Sequence, residues 1–182
     1  AMRNECDSSR EHGHIDILVN SAGSAFRSPA EDFPEDKFNF ILDLNLKGTY
    51  FCCQAFGGVM LGHKKGSIIN IASIGGFIAY PHASAYLASK CGVVQATKSF
   101  ALEWNGRVRV NAIAPGLCET PLLKKVLAES GSTSTTDFIQ HRMLGPLIRP
   151  DELVAAAIFL AGDGAAKVTG HTLAVDDGYL AQ

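Results

Sequence analysis

The chain has little of what announces a metal centre, a disulfide scaffold, a nucleic-acid surface or a membrane anchor. Its five cysteines, Cys6, Cys52, Cys53, Cys91 and Cys118, never take Cys-x-x-Cys spacing, which reads as reduced thiols and not as bridges or zinc ligands. The six histidines are scattered, so no metal is expected. Basic residues pair only at Lys64-Lys65 and Lys124-Lys125, and the formal net charge is −2, which excludes the basic face that a phosphate backbone requires. No apolar run approaches the roughly 18 residues of a membrane span. The amino terminus, Met2 to Asp7, is too polar for a signal peptide, and the expected location is the cytoplasm. No stretch reads Gly-x-Gly-x-x-Gly, so the turn that usually cradles a pyrophosphate at a helix start is not visible.

What is present suffices for an ordinary interior. With 182 residues, 47% hydrophobic and 19% charged, the chain can bury a core as one domain. Ile15 to Val19 is a short apolar run ending at the turn Asn20-Ser-Ala-Gly23, as in a buried parallel strand. From Pro34 to about Leu61, Phe38, Ile41, Leu42, Leu46, Tyr50 and Cys53 recur at helical spacing and predict one long helix with a single inward face. Gly66 to Ala72 predicts a second strand, Ser84 to Trp104 a second long helix, Val108 to Ala114 a third strand, Asp151 to Ala161 a helix, and Thr172 to Val175 a fourth strand. Ser130 to Thr136 reads as a flexible loop. Alternation at this spacing predicts an α/β fold, a doubly wound parallel sheet with helices on both faces. In such sheets ligands sit at the carboxyl ends of the strands, where Asn20, Ser73 and Pro115 fall.

One constellation carries chemistry. Tyr86 and Lys90 are four apart on a predicted helix, so both side chains lie on one face. A phenol is a poor base at neutral pH, but a neighbouring ammonium favours the phenolate and would bring Tyr86 towards the working range of a general acid/base. Ser73, thirteen residues earlier at a strand end, offers a hydroxyl to hold the reacting oxygen as charge develops. By itself the Tyr-x-x-x-Lys spacing would arise by chance in roughly one chain in five, so it counts only in company.

The company is extensive. Asn20-Ser-Ala-Gly23, Asn45, Ser73, Tyr86 with Lys90, and Asn111 to Thr120 around Pro115-Gly116 together resemble the short-chain dehydrogenase/reductase family from about residue 13 onwards. The resemblance implies a Rossmann-like sheet and an NAD(P)-dependent oxidoreductase that interconverts a secondary alcohol and a ketone. It assigns proton transfer to Tyr86 and the lowering of its pKa, with a bond to the nicotinamide ribose, to Lys90. Ser73 then fixes the substrate oxygen and Asn45 anchors a water in a proton relay. A buried amide bonding backbone at a helix irregularity is the plainer reading of Asn45 and is compatible with the relay. Asn20, Ala22 and Gly23 are expected along the cofactor, with Pro115, Gly116, Cys118 and Thr120 at its nicotinamide end. His82, in the loop before Tyr86, is a candidate for touching substrate.

Against the family pattern the first strands and the glycine-rich loop are missing. The expectation is therefore a single truncated domain over residues 1–182, with 1–13 an irregular remnant and only the nicotinamide side of NAD or NADP held, weakly. Asp177 stands where relatives carry glycine and is expected to take a conformation glycine takes more easily. The tail from Thr169 to Ala181 is similar to that of sugar-acid dehydrogenases of the gluconate type, with polyols, steroids and acyl-carrier-bound ketones still open as substrates. The two long helices resemble those joining family subunits, so a homo-oligomer is expected. The competing expectation is a non-catalytic remnant serving as a binding or assembly module.

Overall fold

The structure is a computed structural model and describes residues 13–129 and 147–181. All but the last residue of the expected irregular terminus (residues 1–13) and the expected loop from Ser130 to Thr136 lie outside the described residues.

Four strands form one parallel sheet in sequence order: β1 (Ile17–Asn20), β2 (Ser67–Ile71), β3 (Arg109–Pro115) and β4 (Thr172–Val175). The register pairs Asn20 with Asn70, Ile68 with Val110 and Ala112 with Thr172. Parallel neighbours need long crossovers, and helices supply them. These are α1 (Glu35–Leu42), α2 (Thr49–His63), α3 (Ser84–Glu103), α4 (Pro121–Glu129) and α5 (Val154–Ala161). Because side chains alternate across a strand, Ile68 and Val110 face one side and Ile69 and Ile113 the other. Cys53, Met60, Phe100, Ala101 and Trp104 of α2 and its following neighbour α3 cover the first side. Leu160 with partly buried Ala157 covers the second. Each fully buried isoleucine or leucine contributes about 1.5–3 kcal/mol by leaving water, so the central strands β2 and β3, covered on both faces, are the main stabilising element.

Three expectations need correction. The run Ile15 to Val19, expected as a buried strand, is covered on one face only and leaves Ile17 and Val19 50% and 48% exposed. The predicted helix from Pro34 is continuous but contains a wider turn with π geometry at Asp43–Gly48. The buried stripe is Ile41, Asn45, Thr49, Cys53, Gly57 and Met60, whereas Phe38 and Tyr50, expected inside, are 44% and 42% exposed. The wider turn shifts the angular phase, so Ile41, Asn45 and Thr49, four apart, stay in line across it. Helix α4 was not expected, although Thr120 caps it by accepting from the Leu123 amide at 3.2 Å and Pro121 occupies its first position, the usual opening of a helix. Where α2 meets α3, a Cβ on Gly57 would lie 2.5 Å from the Trp104 ring, so only glycine permits this approach. Asp177 has φ +52°, the left-handed conformation its position suggested.

Candidate active site

The carboxyl ends of β2 and β3 open into a cleft of about 570 Å³. Of the residues singled out in the sequence, Gly23, Ser73, Tyr86, Lys90, Pro115, Gly116, Cys118 and Thr120 line it. These eight residues, drawn from four separate segments, meet at one cleft. Asn20, Ala22 and Asn45 are not in its wall, and His82 is exposed outside it with φ +65°.

Ser73 follows β2 and caps a short turn at Ile74–Gly76, accepting from the Gly75 amide at 3.0 Å. That bond fixes the hydroxyl beside the Tyr86 phenol. Tyr86 sits in the first turn of α3 and Lys90 one turn on, as the spacing required. The Lys90 ammonium donates to the Ile71 carbonyl at 2.7 Å and stands 5.9 Å from the centre of the Tyr86 ring. Burial pushes Lys90 down to about 8, since a charge loses hydration there.

Tyr86 departs from expectation. Lys90 was expected to pull its pKa down, yet burial pushes it above the ordinary phenol value, the Ser73 hydrogen bond opposes that rise, and Cys118 adds to it. The cause is geometric: the Lys90 ammonium is committed to Ile71, so desolvation of the phenolate dominates. The Tyr86 phenol is thus held in its protonated form in this arrangement. Cys118 is also raised by burial, with Glu152 adding to the effect, which leaves it an unreactive thiol.

Asn45 is fully buried in the wide turn. Its amide oxygen accepts from the Ser24 amide at 2.8 Å, while its nitrogen donates to the Ser24 carbonyl at 2.9 Å and to Ser89 Oγ at 3.0 Å. Both amide hydrogens are used. Asn45 thereby clamps the turn after β1 against α3. A Cβ on Gly23 in that turn would stand 3.4 Å from Asn45 Oδ1 and 3.5 Å from Lys90 Nζ, so the bare glycine leaves a cradle between clamp and ammonium. The Thr49 hydroxyl donates to the Asn45 carbonyl at 2.8 Å.

Asn20, expected along the cofactor, turns into the protein instead. It donates to Asn70 Oδ1 at 2.8 Å, and Asn70 donates on to Thr97 Oγ1 at 3.0 Å. The Cys53 thiol, raised to about 12 by burial, lies in the same network. Asn20 and Asn70 are register partners on adjacent strands, so their side chains share a face, and that face is the one α2 and α3 cover. Asn20 ties the strand end to the helices.

Several wall residues had no sequence signal. Arg27, Tyr80 and Tyr179 come from loops or short turns, and Leu153 and Ala157 from the region of α5. None sits in a motif, and tertiary folding alone brings them to the cleft.

Comparison with known proteins identifies what the chain is similar to. The family model described as enoyl-(acyl carrier protein) reductase matches residues 6–180. D-threitol dehydrogenase of Mycolicibacterium smegmatis is 44% identical over 170 residues, spanning 93% of this chain and 64% of that protein. The 2-dehydro-3-deoxy-D-gluconate 5-dehydrogenase of Bacillus subtilis is 40% identical over 173 residues, spanning 94% and 67%. The chain thus covers about two thirds of the length of these relatives. Among solved structures, ElxO with NADP bound superposes with TM-score 0.90 at 29% identity, over 99% of this chain and 73% of that one. A Beutenbergia cavernae protein provisionally assigned as an NAD(P) dependent gluconate 5-dehydrogenase, with NADP at low occupancy, gives TM-score 0.90 at 37% identity, over 99% and 72%.

Proposed function

The chain belongs to the short-chain dehydrogenase/reductase family, and on that premise we propose that it is an NAD(P)-dependent oxidoreductase interconverting a secondary alcohol and a ketone. The observation that carries the proposal is the convergence of Ser73, Tyr86 and Lys90 in one cleft with the segment from Pro115 to Thr120.

The residues present fit the nicotinamide half of such a cofactor. The cradle at Gly23 lies beside Lys90, whose ammonium keeps two N–H donors beyond the one given to Ile71. Lys90 would bond a ribose there, and Pro115, Gly116, Cys118 and Thr120 would hold the ring end. NAD(P), when bound, takes or supplies the hydride at the reacting carbon.

Everything else falls to the chain. Ser73, held by the Gly75 amide, donates to the substrate oxygen and steadies it as negative charge grows. Tyr86 gives its phenolic proton to that oxygen in reduction and takes it back in oxidation. The pKa raised by burial keeps the phenol protonated at neutral pH, which suits the reductive direction. In oxidation the Ser73 bond offsets part of that rise. Asn45 holds the Ser24 turn in place, and the spare lone pair of its amide oxygen is the proposed anchor for a relay water.

The test is Tyr86→Phe. With secondary alcohols and ketones supplied in a panel, its rate of nicotinamide reduction or oxidation is expected to fall on the order of 10²- to 10⁴-fold with thermal stability retained. Equal rates would remove Tyr86 from the mechanism, and absence of turnover in the parent would leave the binding-module reading standing. We also propose a homo-oligomer, supported by Tyr50, Phe51 and Leu102 on the two long helices, 42%, 37% and 79% exposed. Light scattering that gives the mass of one chain at micromolar concentration would remove it.

A further inference from the structure

The cleft that holds Tyr86 offers little charge for recognising a substrate. Among the described residues no aspartate or glutamate lines it, and both of its cations are engaged: the Lys90 ammonium donates to the Ile71 carbonyl at 2.7 Å and Arg27 Nη2 to the Pro81 carbonyl at 3.2 Å. Much of the remaining wall is apolar, from Ile74 and Ile78 to Leu117 and Leu153. Selectivity therefore falls to neutral hydroxyls.

Tyr80 carries a hydroxyl that the proposed reaction leaves unused. A Cβ on Gly75 would stand 3.2 Å from the Tyr80 hydroxyl and 3.4 Å from Ser73 Oγ, so the two hydroxyls flank one bare glycine. Burial pushes Tyr80 above the ordinary phenol value, Tyr86 and Tyr179 add to the rise, and the Arg27 charge opposes it. Tyr80 stays a neutral phenol, able to donate and to accept but not to serve as a second base. Among the described residues it has charged and phenolic neighbours but no hydrogen-bond partner. A half-buried hydroxyl in that condition is met by water or by a ligand, because leaving it unpaired is costly.

Valence decides which substrate atom it meets. In the proposed reaction Ser73 and Tyr86 donate to the two lone pairs of the reacting carbonyl oxygen, which leaves no site there for a third donor. Tyr80 nonetheless stands only one glycine away from Ser73, within reach of an oxygen on the neighbouring carbon. We propose that Tyr80 is a specificity-determining residue that binds the hydroxyl on the carbon next to the reacting one, so that the substrate is a vicinal diol and its product an α-hydroxy ketone. The inference rests on the oxidoreductase reading for which oxygen reacts, and it adds a second substrate oxygen with a residue to hold it.

Cyclohexanol and the cis and trans forms of 1,2-cyclohexanediol are matched probes, one apolar ring differing by a single hydroxyl next to the carbinol. Titration of each into the isotope-labelled full chain, with NADP in excess and without it, reads binding from the amide signals of Gly75 and Gly76 and needs no turnover. At least one diol is expected to bind on the order of three- to tenfold tighter than cyclohexanol. Tyr80→Phe removes one oxygen and keeps the ring, and should bring that ratio close to one. Where the parent turns over, the ratio of kcat/KM for diol against cyclohexanol should fall by a similar factor. Ser73→Ala, by contrast, should weaken both probes and keep the ratio, because it acts on the oxygen they share. Diols that bind the parent no tighter than cyclohexanol, or a preference that survives Tyr80→Phe, would each overturn the proposal, and with cyclohexanol still turned over the oxidoreductase reading would stand without it. Diol preference that needs Tyr80, without turnover of any alcohol, would uphold the second-oxygen subsite while defeating the oxidoreductase reading.

Discussion

Asn45→Ala isolates the clamp on which the cleft depends. The substitution removes the acceptor of the Ser24 amide and the donor to the Ser24 carbonyl, bonds of 2.8 and 2.9 Å. Ser89 suffers little, because its hydroxyl keeps donating to the Tyr86 carbonyl at 2.7 Å. An orphaned buried backbone group costs about 1–3 kcal/mol, and Ser24 is half-buried, so water can recover part of that. Alanine returns a few tenths of a kcal/mol of helix propensity, but it leaves a small void at a site with 0% exposure. The expected net loss is about 2–4 kcal/mol, read as a lower midpoint in urea unfolding at constant slope. Asn45→Asp keeps an acceptor for the Ser24 amide but places a charge in the same buried position, and should be no more stable than alanine at neutral pH. A loss below about 0.5 kcal/mol for Asn45→Ala, within what ordinary surface changes produce, would mean that the turn after β1 is held by something else. Unchanged stability with lost turnover would instead assign Asn45 to proton relay alone.

Lys90 makes stability depend on pH in a definite direction. Its pKa is depressed by burial from 10.5 to about 8, so between those values the unfolded chain holds a proton the folded chain has released, and folding becomes more favourable as pH rises through that window. Below about 8 the whole penalty, about 3 kcal/mol, is present. Unfolding free energies of the parent and Lys90→Met from pH 7 to 10.5 should therefore draw apart in the parent's favour, while the buried tyrosines and Cys53 act alike in both; parallel curves would refute this. Gly57→Ala forces a methyl to within 2.5 Å of the Trp104 ring, whereas Gly58→Ala meets nothing within 4 Å. The first should cost about 1–2 kcal/mol and the second be neutral or stabilising by up to about 1 kcal/mol, so thermal melts in the opposite order would show that α2 and α3 can separate without penalty.

The primary structure by itself determined the layout of the sheet. Apolar runs such as Ile68-Ile69 and Ile113 have no stable place except a strand covered on both faces, and the long intervening helices permit only parallel neighbours. Fixed local spacing also determined the Tyr86–Lys90 pair, because it depends on residues within one turn of helix, while the left-handed turn at Asp177 was legible through the resemblance to relatives with glycine there. Tertiary structure decided what depends on distant groups. Asn20 leaves the cleft because Asn70, its register partner fifty residues away, offers it an acceptor on the covered face. Tyr50 stays outside because the wide turn at Asn45 resets the phase of the helix beyond it, a change that a 3.6-residue period cannot reveal. The pKa of Tyr86 moves up because desolvation, a property of everything packed around it, outweighs a neighbour four residues away. Arg27, Tyr80 and Tyr179 join the cleft from loops and short turns whose sequences carry no period, and only the folded sheet ends bring them to one wall.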